Sequence, residues 1–144
     1  MSQHLHITNM QFSVKTEYAL RAIYEISQNK SEEPIRRKVI AKNQDIPIHF
    51  LEHILISLKK GGIIQSIRGM KGGYTLAKPA AEINLWDLYK SVEEVQEENQ
   101  CFPAYKTSCE RFSHCKIKSV WTNLNQTVKE HMRSLTLDSV LTGV

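Results

Sequence analysis

The sequence predicts a mainly α-helical fold with a small β-wing: a winged helix-turn-helix followed by a long C-terminal dimerisation helix. Two helical segments separated by about four polar residues give the outline of a helix-turn-helix. A basic, glycine-rich hairpin comes next, and an apolar seam at helical spacing occupies the last part of the chain. The length of 144 residues fits one ordinary domain.

The first helix is predicted from Ser13 to Gln28, because Ser13 is a suitable N-cap and one face of the segment is apolar. The residues of that face are Val14, Tyr18, Ala19, Ala22, Ile23 and Ile26. Pro34 is expected to open a short second helix, which the polar residues 43–45 end.

The third helix, predicted over residues 46–60, is the expected recognition helix. Pro47 suits its first turn, where the missing N–H costs nothing, and Gly61-Gly62 ends it. Its predicted buried stripe consists of Phe50, Leu51, Ile54, Leu55 and Leu58. Strands at 63–67 and 74–77, joined by a turn at 68–73, complete a winged helix.

Two further helices are predicted in the second half of the chain. Asn84 is expected to cap a helix over residues 85–94, and a long amphipathic helix is predicted over residues 116–135. The apolar seam of the long helix packs on its own domain or on a second copy, and we favour dimerisation because two-fold DNA readers need two copies. We therefore predict a disordered extension (1–9), a DNA-binding domain (10–80), and a cysteine loop with a dimerisation helix (81–144).

The positive charge is concentrated in the predicted DNA-binding domain. The chain has a net charge of +4, yet residues 35–78 contain nine Lys or Arg against two acids, a formal charge of +7. This pattern is typical of a polyanion partner, the alternative being a solvated basic face. We expect promoter double-stranded DNA to be the partner. The candidate contacts are Arg36, Arg37 and Lys38 to phosphate; His49, Glu52 and His53 in the major groove; and Arg68 and Lys71 on the wing.

Several classes of protein are disfavoured. No stretch approaches the roughly 20 apolar residues of a membrane span, and the first residues lack the apolar core of a signal peptide. We therefore expect a cytoplasmic protein with no membrane partner. A glycine-rich phosphate loop and a repeated acid–base pair are also missing from the sequence, so we expect no enzymatic activity. An adaptor that uses the long helix only for protein partners would leave the basic segment unexplained.

All three cysteines lie in one fifteen-residue stretch, as Cys101, Cys109 and Cys115 in the pattern C-x7-C-x5-C. In a cytoplasmic protein such a cluster indicates a metal or redox site more than a structural disulfide. Thiolates are the preferred ligands of iron–sulfur clusters. A metal-free thiol switch, a zinc site completed by His114, and inert thiols remain the other interpretations.

The chain resembles the Rrf2 family of bacterial transcription regulators. The resemblance rests on KTEYALRAIYEIS in the first helix, IPIHFLEHIL in the third, and IRGMKGGYTLAKPAAEINLWDLYKSVE from the wing onward. It implies a homodimer whose long helix crosses to the partner. Cluster-binding members hold an iron–sulfur cluster with three cysteines in the loop before that helix, where Cys101, Cys109 and Cys115 lie. Many of them have shorter, nearly equal gaps, so the cluster type stays open between [2Fe–2S] and [4Fe–4S].

The resemblance also bears on a fourth ligand. Some members use a histidine three residues past the last cysteine, but Lys118 stands at that position. Other members use an acidic residue near the start of the first helix of the opposite subunit, which corresponds to Glu17 here; the alternative role of Glu17 is a solvated first-turn glutamate. The implied function is a regulator that senses redox state, nitric oxide or iron through its cluster, the alternative being a cluster-free thiol-switch regulator.

Overall fold

The structure, a computed structural model, describes residues 12–95 and 113–143. The elements are α1 (Val14–Gln28), α2 (Arg37–Gln44), α3 (Ile48–Lys60), β1 (Ile64–Ile67), β2 (Gly73–Leu76), α4 (Leu85–Glu93), α5 (Lys118–Ser134) and α6 (Leu137–Thr142), with a 3-10 turn at Ala80–Glu82. The predicted fold class, mainly α-helical with a β-hairpin wing and a long C-terminal helix, is confirmed. The predicted extension at 1–9 lies outside the described residues.

Helix α1 lies at the centre of the core and contacts α2, α3, α4 and β2. It begins as predicted, with the Ser13 Oγ accepting a hydrogen bond of 3.2 Å from the Lys15 backbone N–H. Ala19, Ala22 and Ile23 are fully buried on its inner face. Small side chains at two of these positions allow the neighbouring helices to pack closely against α1.

Helices α2 and α3 form the predicted helix-turn-helix. The turn between them contains Asp45 in the left-handed region (φ 53°), a conformation that Asp tolerates better than most residues. Ile46 is buried directly after it and fixes the turn to the core. Helix α3 buries four of its five predicted stripe residues, Leu51, Ile54, Leu55 and Leu58.

Two details of this region differ from the prediction. Pro34 does not open α2, because Ile35 exchanges backbone hydrogen bonds of 3.1 and 2.8 Å with Tyr74 of β2. Residues 34–36 are therefore extended, and α2 begins at Arg37. Phe50 is not buried: it lies at the flank of the α3 stripe, with its ring 6.2 Å from that of Tyr18, and 52% of the residue is exposed.

The wing is an antiparallel hairpin in which β1 pairs with β2 from Ile64↔Leu76 to Ile67↔Gly73. Its tip depends on glycine. Gly69 has a φ of 119°, and a Cβ on Gly72 would lie 2.3 Å from the Ile67 carbonyl oxygen, so neither position accepts a larger residue without strain.

The junction between α5 and α6 is hydrogen-bonded to the start of α4. Asn84 caps α4 by accepting from the Asp87 N–H at 2.9 Å, as predicted. The Leu85 N–H donates to the Leu135 carbonyl at 2.8 Å, and the Leu137 N–H donates to the Ile83 carbonyl at 2.7 Å. These two bonds fix the C-terminal end of α5 and the start of α6 to the core.

Candidate nucleic-acid interface and sensor segment

The outer face of α3 carries the polar residues expected to meet DNA bases. His49 and His53 are exposed, and Glu52 is partly exposed. Because Leu51, Ile54 and Leu55 hold the opposite face in the core, these three side chains are presented on one surface. The Glu52 Oε1 lies 2.9 Å from the Arg37 Nη1, so the acid of the recognition surface is neutralised by the first turn of α2.

The predicted phosphate contacts of α2 have distinct environments. Arg36 is the N-cap residue, and its guanidinium donates to the Met70 carbonyl at the wing tip. Arg37 pairs with Glu52, while Lys38 is exposed in the first turn. The N-terminus of α2 has no side-chain cap. Its backbone N–H groups therefore add to the positive end of the helix dipole, where phosphate is favoured.

A polar cleft of about 490 Å³ separates the wing from the start of α2. The two cations of the wing are Arg68 and Lys71, and both are exposed. The Lys71 Nζ lies 2.9 Å from the Glu33 Oε1 in an exposed ion pair, which is weak enough to exchange for a phosphate. Five of the eight predicted DNA contacts thus lie in α2 and α3, Arg36 is the N-cap residue of α2, and the other two lie on the hairpin beside them.

Of the three cysteines predicted to hold a cluster, one lies within the described residues and two lie outside them. Cys101 and Cys109 lie outside the described residues. Cys115 is described; it is a free, partly buried thiol three residues before α5, and its carbonyl accepts from the Lys118 N–H at 3.4 Å. No group of three His, Cys, Asp or Glu that could hold a metal occurs within residues 12–95 and 113–143. A three-thiolate site therefore needs the two cysteines outside these ranges.

Glu17 lies in the first turn of α1, and its side chain is 57% exposed. It forms an i,i+4 ion pair with Arg21, whose guanidinium also donates to the Gln44 carbonyl at 3.3 Å. The carboxylate thus faces solvent at the edge of the helix-turn-helix. A ligand role for Glu17 requires it to leave Arg21, an exchange that a solvated pair permits at low cost.

Glu93 has a role that the sequence did not reveal. Its Oε1 accepts from the Thr16 Oγ1 at 2.6 Å, from the Ser13 N–H at 3.3 Å and from the Ser13 hydroxyl. One carboxylate at the end of α4 thus caps the start of α1, where the helix dipole favours negative charge. The available signal was Thr16, a polar residue in register with the buried face of α1, which therefore needs a partner.

Tyr89 lies one turn before Glu93 on α4. Burial raises the pKa of Tyr89 above its ordinary value of 10.0, and the negative charge of Glu93 raises this pKa further. The Phe12 ring meets the Tyr89 ring edge-on at 5.4 Å, which adds an apolar contact to the polar connection between the start of α1 and the end of α4.

The N-terminal half of α5 presents an apolar surface to solvent. It consists of large side chains at spacings of three, one and three, and we call it the α5 seam: Ile117, Val120, Trp121 and Leu124. Ile117 and Val120 are 58% and 59% exposed. An apolar cavity of about 300 Å³ lies elsewhere, between α1, α4 and α6, and contains none of the predicted site residues.

A helix-turn-helix with a polar outer face, flanked by a basic wing, defines a DNA-binding transcription regulator of the winged-helix class. Residues 12–143 match the Rrf2 family, described as iron-dependent transcriptional regulators, and the chain belongs to that family. The expectation that the protein is not an enzyme is confirmed by this membership. None of the helices in the described ranges is long and apolar enough to cross a membrane.

Relatives and solved structures agree with this assignment. The HTH-type transcriptional regulator IscR of Pectobacterium atrosepticum is 28% identical over 132 residues, covering 92% of this chain and 79% of the relative. Among solved structures, T. potens IscR is 28% identical with a TM-score of 0.70, covering 92% of this chain and 87% of the other. CymR, the global cysteine regulator of B. subtilis, is 26% identical with a TM-score of 0.71, covering 92% and 97%.

Proposed function

We propose that the protein is a cytoplasmic, homodimeric transcription regulator that senses redox state, nitric oxide or iron through an iron–sulfur cluster held by Cys101, Cys109 and Cys115. The observation that carries the proposal is the placement of all three thiols between α4 and α5 in a chain of this family. Residues 10–80 read the promoter, and residues 81–144 carry the sensor and the dimer contact.

The donor set fits an iron–sulfur cluster of the [2Fe–2S] or [4Fe–4S] type. Three thiolates match the ligand preference of such clusters, and Cys115 is unpaired and partly accessible at the start of the α5 segment. When bound, the cluster would supply a redox-active centre that small oxidants can attack. A carboxylate from Glu17 of the opposite subunit is a hard, exchangeable fourth ligand, which suits a sensor.

On the DNA side, α3 enters the major groove with His49, Glu52 and His53 toward the bases. Arg37 keeps Glu52 in place, so that its carboxylate accepts from a cytosine amino group and disfavours other bases. Lys38 and the uncapped N-terminus of α2 contact phosphate, while Arg68 and Lys71 bring the wing to the backbone or the minor groove.

The α5 seam is the proposed dimer surface. Burying a large apolar side chain gains about 1.5–3 kcal/mol, and four such side chains are exposed together on one helix face. A second copy of the chain covers them symmetrically. The state of the cluster can then be coupled to DNA binding, because one contact between the subunits would exist only when the cluster is bound. In that state, ligation by Glu17 would fix α1 of one subunit to the cysteine segment of the other.

A cluster-free thiol switch is the second candidate. It is supported by the structural similarity to CymR, the global cysteine regulator of B. subtilis, and to a Staphylococcus aureus CymR solved in an oxidized form, which is 26% identical to this chain with a TM-score of 0.70. In that case two of the three cysteines would form a disulfide, giving up two electrons and two protons to an oxidant, and the third would stay a thiol; the disulfide would change DNA affinity.

Anaerobic purification followed by an absorbance spectrum and iron and sulfide assays tests the proposal. A brown protein with iron and acid-labile sulfide, in which Cys109→Ser loses both, is the expected result. A colourless protein that still responds to diamide in DNA binding favours the thiol switch, and a colourless protein with stoichiometric zinc overturns both sensing mechanisms.

The role of Glu17 is tested on the same protein by Glu17→Ala, with Arg21→Ala as the matched control. Both variants abolish the ion pair, but only Glu17→Ala removes the carboxylate. We expect Glu17→Ala to alter the visible spectrum and the cluster dependence of DNA affinity, and Arg21→Ala to alter neither. Equal behaviour of the two variants excludes Glu17 as a ligand.

A further inference from the structure

We propose that Met70, at the tip of the wing, is an apolar wedge that inserts between base steps of the minor groove and contributes to operator selection. The proposal rests on the proposed DNA interface and adds to it a residue that carries no charge. Met70 is 92% exposed, although it is one of the larger apolar side chains of the chain.

A single exposed apolar residue is ordinary on a protein surface, so exposure alone decides nothing. The backbone around Met70 is what distinguishes it. The Arg36 guanidinium donates to the Met70 carbonyl, and the Gly72 N–H donates to the Gly69 carbonyl at 3.0 Å. Hydrogen bonds therefore fix the backbone of the turn around Met70, and the Met70 side chain projects from this fixed backbone.

The positive charges around the wing tip also support insertion into the minor groove. Arg68 and Lys71 flank Met70 in the chain, and Arg36 lies beneath it. Glu33, which pairs with Lys71, is the acid in contact with this group among the described residues. Cations that approach two phosphate backbones would bring the tip to the floor of the groove between them.

The side chain itself suits insertion. Methionine is unbranched and polarizable, and it adapts to irregular gaps such as an opened base step. Minor-groove proteins use Met among other apolar side chains to separate base pairs and kink the duplex. Pyrimidine–purine steps unstack most easily, so the site under the wing should prefer them even without a hydrogen bond to the bases.

The test begins with duplexes selected from a random library by the wild-type protein. Met70→Leu keeps an apolar side chain of similar volume, whereas Met70→Gln keeps the length and removes the apolar character. We expect Met70→Leu to bind within about twofold of wild type and Met70→Gln about tenfold more weakly, the loss of one buried apolar side chain.

Two further readouts separate a wedge from a simple surface contact. A 2-aminopurine placed at the step under the wing should brighten on binding of wild type and not of Met70→Gln. The dependence of affinity on salt should be the same for both, whereas Arg68→Ala should reduce the salt slope by about one.

The outcomes distinguish this proposal from the broader one. Failure of the wild-type protein to select any duplex from the library overturns the DNA interface and the wedge together. Wild-type binding with an unchanged affinity and 2-aminopurine signal for Met70→Gln overturns only the wedge, and leaves the assignments of Arg68 and Lys71 as they stand.

Discussion

Helices α3 and α5 are both amphipathic, but their apolar side chains have different environments. Helix α3 buries Leu51, Ile54, Leu55 and Leu58 within its own subunit. Helix α5 is longer, with 17 residues against 13, yet Met132 near its end is its one buried residue in the described structure. The same sequence pattern thus forms a buried core in one region and a solvent-exposed apolar surface in the other.

The difference shows that periodicity predicts a helix but does not say what covers its apolar face. For α3 the answer lies within the subunit, because α1, α2 and α4 surround it. For α5 the C-terminal end is held by backbone hydrogen bonds and Lys129 lies over the Trp86 ring of α4, whereas the seam at the other end is exposed. Substitutions in the two helices should therefore affect two different equilibria, folding and association.

The largest effect is expected in α3. Leu55→Ala should reduce the free energy of unfolding by about 2–5 kcal/mol, because it leaves a cavity in a packed core. Ile56→Ala, at the neighbouring exposed position, should change it by about 0.5 kcal/mol or less. Urea denaturation followed by circular dichroism measures both, and similar losses for the two variants would contradict the assignment of the buried face.

Substitution in the α5 seam should act on association. Val120→Glu places a charge in the proposed dimer surface and should weaken dimerisation by about a hundredfold, or about 3 kcal/mol. Ser119→Glu puts the same charge on the opposite side of the helix and serves as the control. Sedimentation equilibrium decides: an unchanged dimer with Val120→Glu removes the seam from the interface.

Glu93→Ala tests the link between the start of α1 and the end of α4. The substitution leaves the buried Thr16 hydroxyl and the Ser13 donors without their acceptor, which should cost about 1–3 kcal/mol of unfolding free energy. Glu94→Ala is the adjacent control, since Glu94 is exposed beyond the end of α4. Equal urea midpoints for the two variants would show that the carboxylate contributes nothing to stability.

The smallest effect concerns pH. Since the pKa of Tyr89 is raised in the folded protein, the neutral phenol is favoured there, and this contribution to stability is complete below pH 10. It is lost as the pH rises above 10 through the folded pKa. The difference in unfolding free energy between wild type and Tyr89→Phe should therefore shift against wild type between pH 9 and 11. A constant difference over that range would be evidence against the shift.

Local chemistry made much of the fold predictable. Ser13 and Asn84 were each expected to cap a helix, and each side chain accepts a backbone hydrogen bond at the start of one. The features that were missed depend on distant partners. The pairing of Ile35 with Tyr74 and that of Ser13 with Glu93 join segments far apart in the chain, and no local pattern encodes them.

The candidate sites were predictable to different degrees. The polar face of α3 followed from helical period alone, whereas the exposure of Phe50 did not, because a residue at the edge of a stripe satisfies the same spacing as one at its centre. The three cysteines were identified as a metal or redox site by their clustering and by thiolate chemistry, and the family resemblance favoured an iron–sulfur cluster there; Glu17 as a ligand came from the resemblance alone. Their assembly also requires residues beyond the described ranges and stays a prediction.

Helix α5 is held by backbone hydrogen bonds near its C-terminal end, which gives it the mechanics of a lever. Hydrogen bonds at Leu85 and Leu137 form the fulcrum, and the 17 residues of the helix span about 25 Å from there to the segment that holds Cys115. A tilt of about 5° at the fulcrum moves the far end by about 2 Å over that length. Under the proposed function, a displacement of about 2 Å at the Cys115 end would correspond to a rotation of about 5° beside α4, a ratio set by the length of the helix.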